Sequence, residues 1–225
     1  MNVVREGKAT DGTVFFALEQ TRGKGQRGRS WISNKGQNIM LSVVWNADGF
    51  NVLRTFELSA LVAVACRELF ERHAVDGVSI KWPNDIYWND RKAGGILIEN
   101  IIQQGQWEKA IIGIGMNINQ TQFPAMENRA VSLKQITGKA FDPVELGKEL
   151  CRELDHWRQR FLNEGFGIIL ETYNKHLFAR GKAMKFRKGN IILQARVEGV
   201  NEHGALMVTH GHADTWEHGS VDWLL

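Results

Sequence analysis

Between residues 22 and 31 the chain reads Arg-Gly-Lys-Gly-Gln-Arg-Gly-Arg-Ser-Trp. Gly23, Gly25 and Gly28 let the backbone come close to a ligand and present its N–H groups. Arg22, Lys24, Arg27 and Arg29 bring charge for a phosphate or carboxylate, and Trp31 offers a flat face for a base. Such a loop suits closure over an anionic, nucleotide-like ligand. It lacks the Gly-x-x-x-x-Gly-Lys-Ser/Thr order of a phosphate-binding loop, and no Gly-x-Gly-x-x-Gly opens a helix after a strand. Taken alone, the stretch equally suits a solvated basic loop or an RNA-contacting segment.

A second stretch runs from Lys81-Trp82-Pro83-Asn84-Asp85 to Arg91-Lys92-Ala93-Gly94-Gly95-Ile96-Leu97-Ile98-Glu99. It reads as a strand end, a Pro-Asn-Asp turn, a short strand, an Asn89-Asp90 turn and a return strand. Lys81, Asp85 and Lys92 fall at or near strand ends, where they can converge on one site. Gly94 and Gly95 inside a strand indicate close approach of backbone or ligand. The spacing alone also fits an ordinary hairpin with a salt bridge.

Together the two stretches resemble the biotin protein ligases. Gly23 to Gly28 followed by Trp31 matches the family's glycine- and arginine-rich loop. Lys81 to Asp85 and Arg91 to Glu99 match its Lys-Trp-Pro-Asn-Asp block and the Arg-Lys-x-x-Gly-Ile-Leu-x-Glu that follows. Ile112-Gly113-Ile114-Gly115-Met116-Asn117 matches its Ile-Gly-x-Gly-x-Asn strand, and the three matches keep the family's order and spacing.

The resemblance implies an adenylate-forming ligase. It would make biotinyl-5'-AMP from biotin and ATP, with Mg2+ accompanying the ATP. It would then pass biotin to a lysine of a biotin carboxyl carrier protein such as that of acetyl-CoA carboxylase. Both steps need charge neutralised and reactants held close. Among the catalytic residues it implies, Lys92 bridges the biotin carboxylate and the α-phosphate. Arg27, with Lys24, lies in the loop that orders over the adenylate. Asp85 either orients or deprotonates the incoming lysine, or only holds Lys81 or a loop in place. Of the binding residues implied, Gln20 and the backbone of Gly23 meet the ureido ring, and Gly95 and Gly113 line the biotin pocket. Trp31 packs on adenine, Asn117 meets the adenine edge with Asn119 nearby, and Asn84 lies beside the reaction centre. Gly25, Gln26 and Gly28 complete the loop, with Gln26 standing where many members carry arginine.

Members of the family usually open with a strand and an Asp-Ser-Thr-Asn turn leading into a helix. Here Met1 to Gly7 reads as the last turns of that helix, so the turn is expected to be missing or to lie upstream of Met1. With no DNA-binding segment ahead of the catalytic part, no DNA partner and no repressor role are expected. His203, His210, His212 and His218 fall in turns and strands of unclear facing, and no metal site is expected.

The elements that must position these residues are also legible. The 225 residues, 43% hydrophobic with eight Trp, suffice for a medium domain and a small one. A net charge of +3 admits anionic ligands without demanding nucleic acid. Cys66 and Cys151 sit in helical patterns and read as buried thiols of a reducing compartment. With no long apolar run and no signal peptide, no membrane contact is expected and a cytoplasmic location is the default.

Residues 14–18 and 39–45 read as strands flanking the basic loop. Leu58, Leu61, Val62, Ala65 and Leu69 recur at helical spacing, which predicts an amphipathic helix over 53–73. Residues 95–102 and 107–117 read as a hairpin around Gln103-Gln104-Gly105-Gln106. Asp142-Pro143-Val144-Glu145 starts a helix that Gly165 can end, and a further helix is expected over 166–178. Short strands then follow at 184–187, 191–200, 205–210, 213–217 and 220–224.

The expected fold is α+β. A mixed β-sheet catalytic domain flanked by helices, like that of class II aminoacyl-tRNA synthetases and biotin ligases, spans 1–179. A small SH3-like β-barrel spans 180–225. The reading leaves room for a homodimer. A lipoate ligase would share fold and acyl-adenylate chemistry, but the Lys-Trp-Pro-Asn-Asp block argues against it. The alternatives of another class are an inactive relic and a basic RNA-binding protein with a small barrel.

Overall fold

The computed structural model describes residues 4, 8–47, 49–50, 54–103, 106–124 and 129–225. The helical turns expected over 1–7 therefore lie, Val4 apart, outside the described residues, as does the middle of the turn at 103–106.

Six strands make one sheet: β1 (Val14–Phe16), β2 (Ile39–Asn46), β3 (Val78–Lys81), β4 (Asp85–Trp88), β5 (Arg91–Gln103) and β6 (Gln106–Met116). Their order is β1-β2-β6-β5-β4-β3, and the strand pairs are antiparallel. The parallel component of this mixed sheet comes from single bridges, Ile80 to Leu177 and Lys92 to Ala130.

Residues paired across neighbouring antiparallel strands point to the same side of a sheet, and successive residues point to opposite sides. Register therefore gives the two faces different characters. Ile80, Ile86, Gly94, Met116 and Ile39 form one row across five strands, and the four with side chains are fully buried. On β6 the run Ile112-Gly113-Ile114-Gly115 sends isoleucines to this apolar face and glycines to the other.

Against the apolar face lies α1 (Thr55–His73). Ala60 to Cys66 are fully buried without a break, so this is not the amphipathic helix that the leucine spacing suggests. A helix apolar all round belongs inside. Here α3 (Pro143–Glu164) and α4 (Phe166–Lys175) pack on its far side and shut out water. Burial pushes the Cys66 thiol pKa upward, as expected for an inert core thiol. A short helix, α2 (Leu133–Thr137), has a reciprocal Ser132–Gln135 capping box and was not anticipated from sequence. The ends of α3 follow the sequence reading. Asp142 accepts hydrogen bonds from Val144 N–H and Glu145 N–H, Pro143 is the first helical residue, and Gly165 closes the helix at φ 79°.

The helix α4 stops at Lys175, short of the expected 178, because the next residues join the sheet edge. Ile80 N–H donates to the His176 carbonyl at 2.9 Å, and Phe178 N–H donates to the Ile80 carbonyl at 2.8 Å.

The strands β7 (Ala183–Lys188), β8 (Ile191–Val200), β9 (Leu206–Thr209), β10 (Ala213–Trp216) and β11 (Asp222–Leu224) form a second sheet, in the order β10-β9-β8-β7-β11. The strands fall close to where the sequence puts them, and the sheet curls around Phe186, Trp216 and Trp223. The Phe186 ring centroid lies 5.0 Å from that of Trp216 and 4.7 Å from that of Trp223. The two end strands, β10 and β11, do not pair, so the SH3-like sheet is an open barrel rather than a closed one. It is fastened to the rest of the fold: Trp82 Nε1–H, in the turn after β3, donates to the Gly204 carbonyl at 2.9 Å, and Asn174 of α4 bonds both backbone groups of Val200. No described helix is long and apolar enough to cross a membrane.

Candidate active site

The face of the six-stranded sheet turned away from α1 is the floor of a cleft of about 1570 Å³. That is more room than a single drug-sized ligand needs. Register places Lys81, Asp85, Gly95, Gly115 and Met40 in one row across it. A Cβ on Gly95 would lie 3.2 Å from Lys92 Nζ and 3.3 Å from Asp85 Oδ1, and a Cβ on Gly115 would run into the ring of Trp31. Gly113 follows on the same face, beside Leu97.

Lys92 reaches this face through a β-bulge. Asp85 pairs with Gly95 and Ile86 with Gly94, but Tyr87 pairs with Lys92, leaving Ala93 without a partner on β4. A bulge re-aims the side chains beyond it. Without it, Lys92 and Gly95, three residues apart, would face opposite ways. As folded, Lys92 Nζ meets Asp85 Oδ1 at 2.7 Å and lies 5.9 Å from the centroid of the Trp31 ring.

Two asparagines hold this geometry from beneath. Asn84 is buried; its Nδ2–H donates to the Ile96 carbonyl, while Ile96 N–H donates to the Asn84 carbonyl at 3.1 Å. Asn117 N–H donates to the Ala93 carbonyl at 2.8 Å, and its Nδ2–H donates to the Lys92 carbonyl at 3.3 Å, so it braces the bulge. Asn117 still lines the cleft. Asn119 does not; its side chain clamps the backbone of Phe141.

Over the floor the basic loop forms a small hairpin of its own. Lys24 bridges to Ser30, Gly25 N–H donates to the Arg29 carbonyl at 2.7 Å, and Trp31 N–H donates to the Gly23 carbonyl at 3.0 Å. Gln26, Arg27 and Gly28 make the turn, with Arg27 itself at φ 55°. A side chain at Gly23 would collide with the Trp31 carbonyl and crowd Gln20 Oε1. Beyond the loop, Arg27 Nη1 lies 3.5 Å from Asp222 Oδ1 on β11, and its guanidinium rests against Gly219. His218 stands edge-on to Trp82, ring centroids 5.9 Å apart; burial, then the Arg27 charge, lower its pKa.

The cleft thus gathers the expected Gln20, Gly23 to Gly28, Trp31, Asn84, Asp85, Lys92, Gly95, Gly113 and Asn117. It also takes in Ser42, Arg129, Arg187, His218 and Val221 to Leu225, which the sequence did not flag. Eight cations line it (Arg22, Lys24, Arg27, Arg29, Lys81, Lys92, Arg129 and Arg187) against three carboxylates, Asp85, Glu99 and Asp222. That balance favours a polyanion. The Trp31 indole N–H is buried without a partner among the described residues.

Away from the cleft, His210, His212 and Asp214 meet at the β9–β10 hairpin with ligand atoms within 4.8 Å of one another. Trp216 Nε1–H donates to Asp214 Oδ2 at 2.7 Å, and the His210 ring bonds the same oxygen at 3.2 Å.

Residues 2–117 match the biotin/lipoate A/B protein ligase family. The chain is 30% identical over 203 residues to the bifunctional ligase/repressor BirA of Bacillus subtilis, covering 89% of this chain and 62% of that protein. It is 29% identical over 199 residues to the biotin–[acetyl-CoA-carboxylase] ligase of Paracoccus denitrificans, covering 86% and 82%. The biotin protein ligase of Aquifex aeolicus, solved in complex with biotin and ATP, superposes with a TM-score of 0.83 at 26% identity, covering 96% of this chain and 90% of that one.

Proposed function

The chain belongs to the biotin/lipoate A/B protein ligase family, and we propose that it joins biotin to ATP as biotinyl-5'-AMP and then to a lysine of a biotin carboxyl carrier protein. The observation that carries this is the bulge that sets Lys92 over Gly95, beside Asp85 and under Trp31.

In this reading the bicyclic ring of biotin lies on the glycine floor at Gly95 and Gly113, with its ureido end towards Gln20 and Gly23. A biotin carboxylate oxygen attacks the α-phosphorus and pyrophosphate leaves. Lys92 neutralises the two anions as they meet, and Asp85 holds its ammonium in place. Lys24 and Arg27 take the phosphates as the loop, with Gly25, Gln26 and Gly28, closes; Trp31 covers the adenine. Glu99 and Asp222, the latter shared with Arg27, are the lining carboxylates that would meet an Mg2+ accompanying the ATP, whose charge would help neutralise the triphosphate. Asn84 and Asn117 act mainly by fixing the turn and the bulge.

We place the reaction in the cytoplasm, with no DNA partner, by a chain dividing near residue 180 and able to form a homodimer. The rival, a lipoate ligase, shares the acyl-adenylate chemistry. Biotin-dependent exchange of labelled pyrophosphate into ATP, with lipoate as control, separates the two. Exchange with biotin alone is expected; no exchange with biotin sinks the proposal.

A further inference from the structure

Lys81 opens the row across the floor, paired with Asp85, which in turn pairs with Gly95. Its Nζ lies 5.2 Å from the ring centroid of Tyr87 and 5.5 Å from that of Trp223. Lys81 makes no ion pair within 4.0 Å among the described residues, because the neighbouring carboxylate is occupied by Lys92 at 2.7 Å. Burial lowers the pKa of its ammonium. Lys92 on β5 and Arg29 in the loop push the same way, while Asp85 on β4 and Asp222 on β11 oppose. Lys81 is thus an amine at the reaction centre with no salt-bridge partner, in surroundings that ease loss of its proton.

Building on the biotin-ligase reading, we propose that Lys81 is the base of the transfer step, taking up the proton that the acceptor lysine releases as it attacks biotinyl-AMP. The acceptor nitrogen bonds to the acyl carbon, and the bond from that carbon to the phosphate oxygen breaks. AMP leaves with the electron pair, and the proton passes from nitrogen to Lys81 Nζ and on to water. Asp85 suits the task less, since protonating it would break its ion pair and leave Lys92 without its partner. Lys81, on gaining charge, has two aromatic faces and the Asp85 carboxylate to stabilise it. In the first half-reaction a carboxylate oxygen replaces pyrophosphate on phosphorus and no proton is released, so Lys81 is not needed there.

The test compares Lys81→Met and Lys81→Arg with the wild type in the full chain. Three rates are followed: biotin-dependent pyrophosphate exchange, single-turnover transfer from preformed biotinyl-AMP to a carrier-domain lysine, and transfer to hydroxylamine, which is largely neutral at pH 7. The expectation is exchange within a few-fold of wild type and transfer to lysine reduced about 100-fold or more in both variants. Transfer to hydroxylamine should fall by less than about tenfold, because that nucleophile needs less help in losing a proton. Transfer to lysine restored by Lys81→Arg, which keeps charge but cannot accept a proton, overturns the proposal. So does an equal loss with both nucleophiles, a matching loss of exchange, or no loss at all. Absence of exchange in the wild type instead overturns the biotin-ligase reading beneath it.

Discussion

On the floor of the cleft, strand register places every reactive side chain; in the loop above it, only a handful of contacts do. Lys81, Asp85 and Gly95 are consecutive partners across three strands, and Asn84 and Asn117 bond backbone on both sides of the bulge. The loop has three backbone hydrogen bonds and one bridge within itself, and an exposed contact to the far sheet. The floor is therefore organised before any ligand arrives, whereas the loop has few partners of its own. This division suits a reaction in which charge must be met in a fixed place while a reactive anhydride is kept from water.

The sharpest way to break this contrast is at the floor. Lys92→Ala should cost adenylate formation about 2–4 kcal/mol, the range for removing one preorganised charge partner, with little change in thermal stability. A single-turnover rate near wild type would remove Lys92 from the chemistry. Next comes the point where floor and loop touch. Gly115→Val places a side chain where Trp31 lies, so the ring must leave and KM for ATP should rise about 10- to 100-fold, equivalent to one lost stack. An unchanged KM would mean that Trp31 does not cover the adenine.

A smaller effect tests the loop directly. Biotin with ATP should slow tryptic cleavage after Arg22, Lys24, Arg27 and Arg29 by about tenfold, as expected when a ligand depopulates open states. Equal cleavage with and without ligand would rule out closure. The smallest effect belongs to the loop's tie to the far sheet. Asp222→Asn removes an exposed pair worth about 0–1 kcal/mol, so melting should barely change while the unliganded loop is cut about two- to threefold faster. A loss of several degrees in Tm would show that the contact supports the fold rather than the loop.

Sequence spoke most clearly where function is local. Lys81 to Glu99 carries the turn, both strands and three reactive side chains within one hairpin, so residue types alone point to convergence. What no residue type reveals is which position is skipped in Lys92-Ala93-Gly94-Gly95, because bulges depend on pairing with β4 and on support from Asn117. The same limit applies to Asn84 and Asn117. An asparagine beside a reactive motif serves equally as ligand contact or as backbone clamp, and only the burial of Asn84 against Ile96 decides its case. For α1, the unbroken apolar run from Ala60 to Cys66 carries the information that it is covered on both sides, and the leucine spacing masked it. Arg27 and Asp222 are separated by 195 positions, so the C-terminal wall of the cleft could not be read from either stretch alone.

The unpaired Ala93 means that β5 is written in two phases. From Gly95 onward the odd-numbered positions look into the cleft, but the lysine that looks in with them is even-numbered. Adding one residue to β4, between Ile86 and Tyr87, would leave every motif residue present, give Ala93 a partner and let the strands pair without interruption. It would also turn Lys92 through half a rotation, towards the buried row of Ile86 and Ile80. An inventory of side chains would score such a chain as intact. What the family's motif transmits from one sequence to the next is therefore a frame as well as a set of letters, and a gap opened at this point of an alignment is a statement about chemistry.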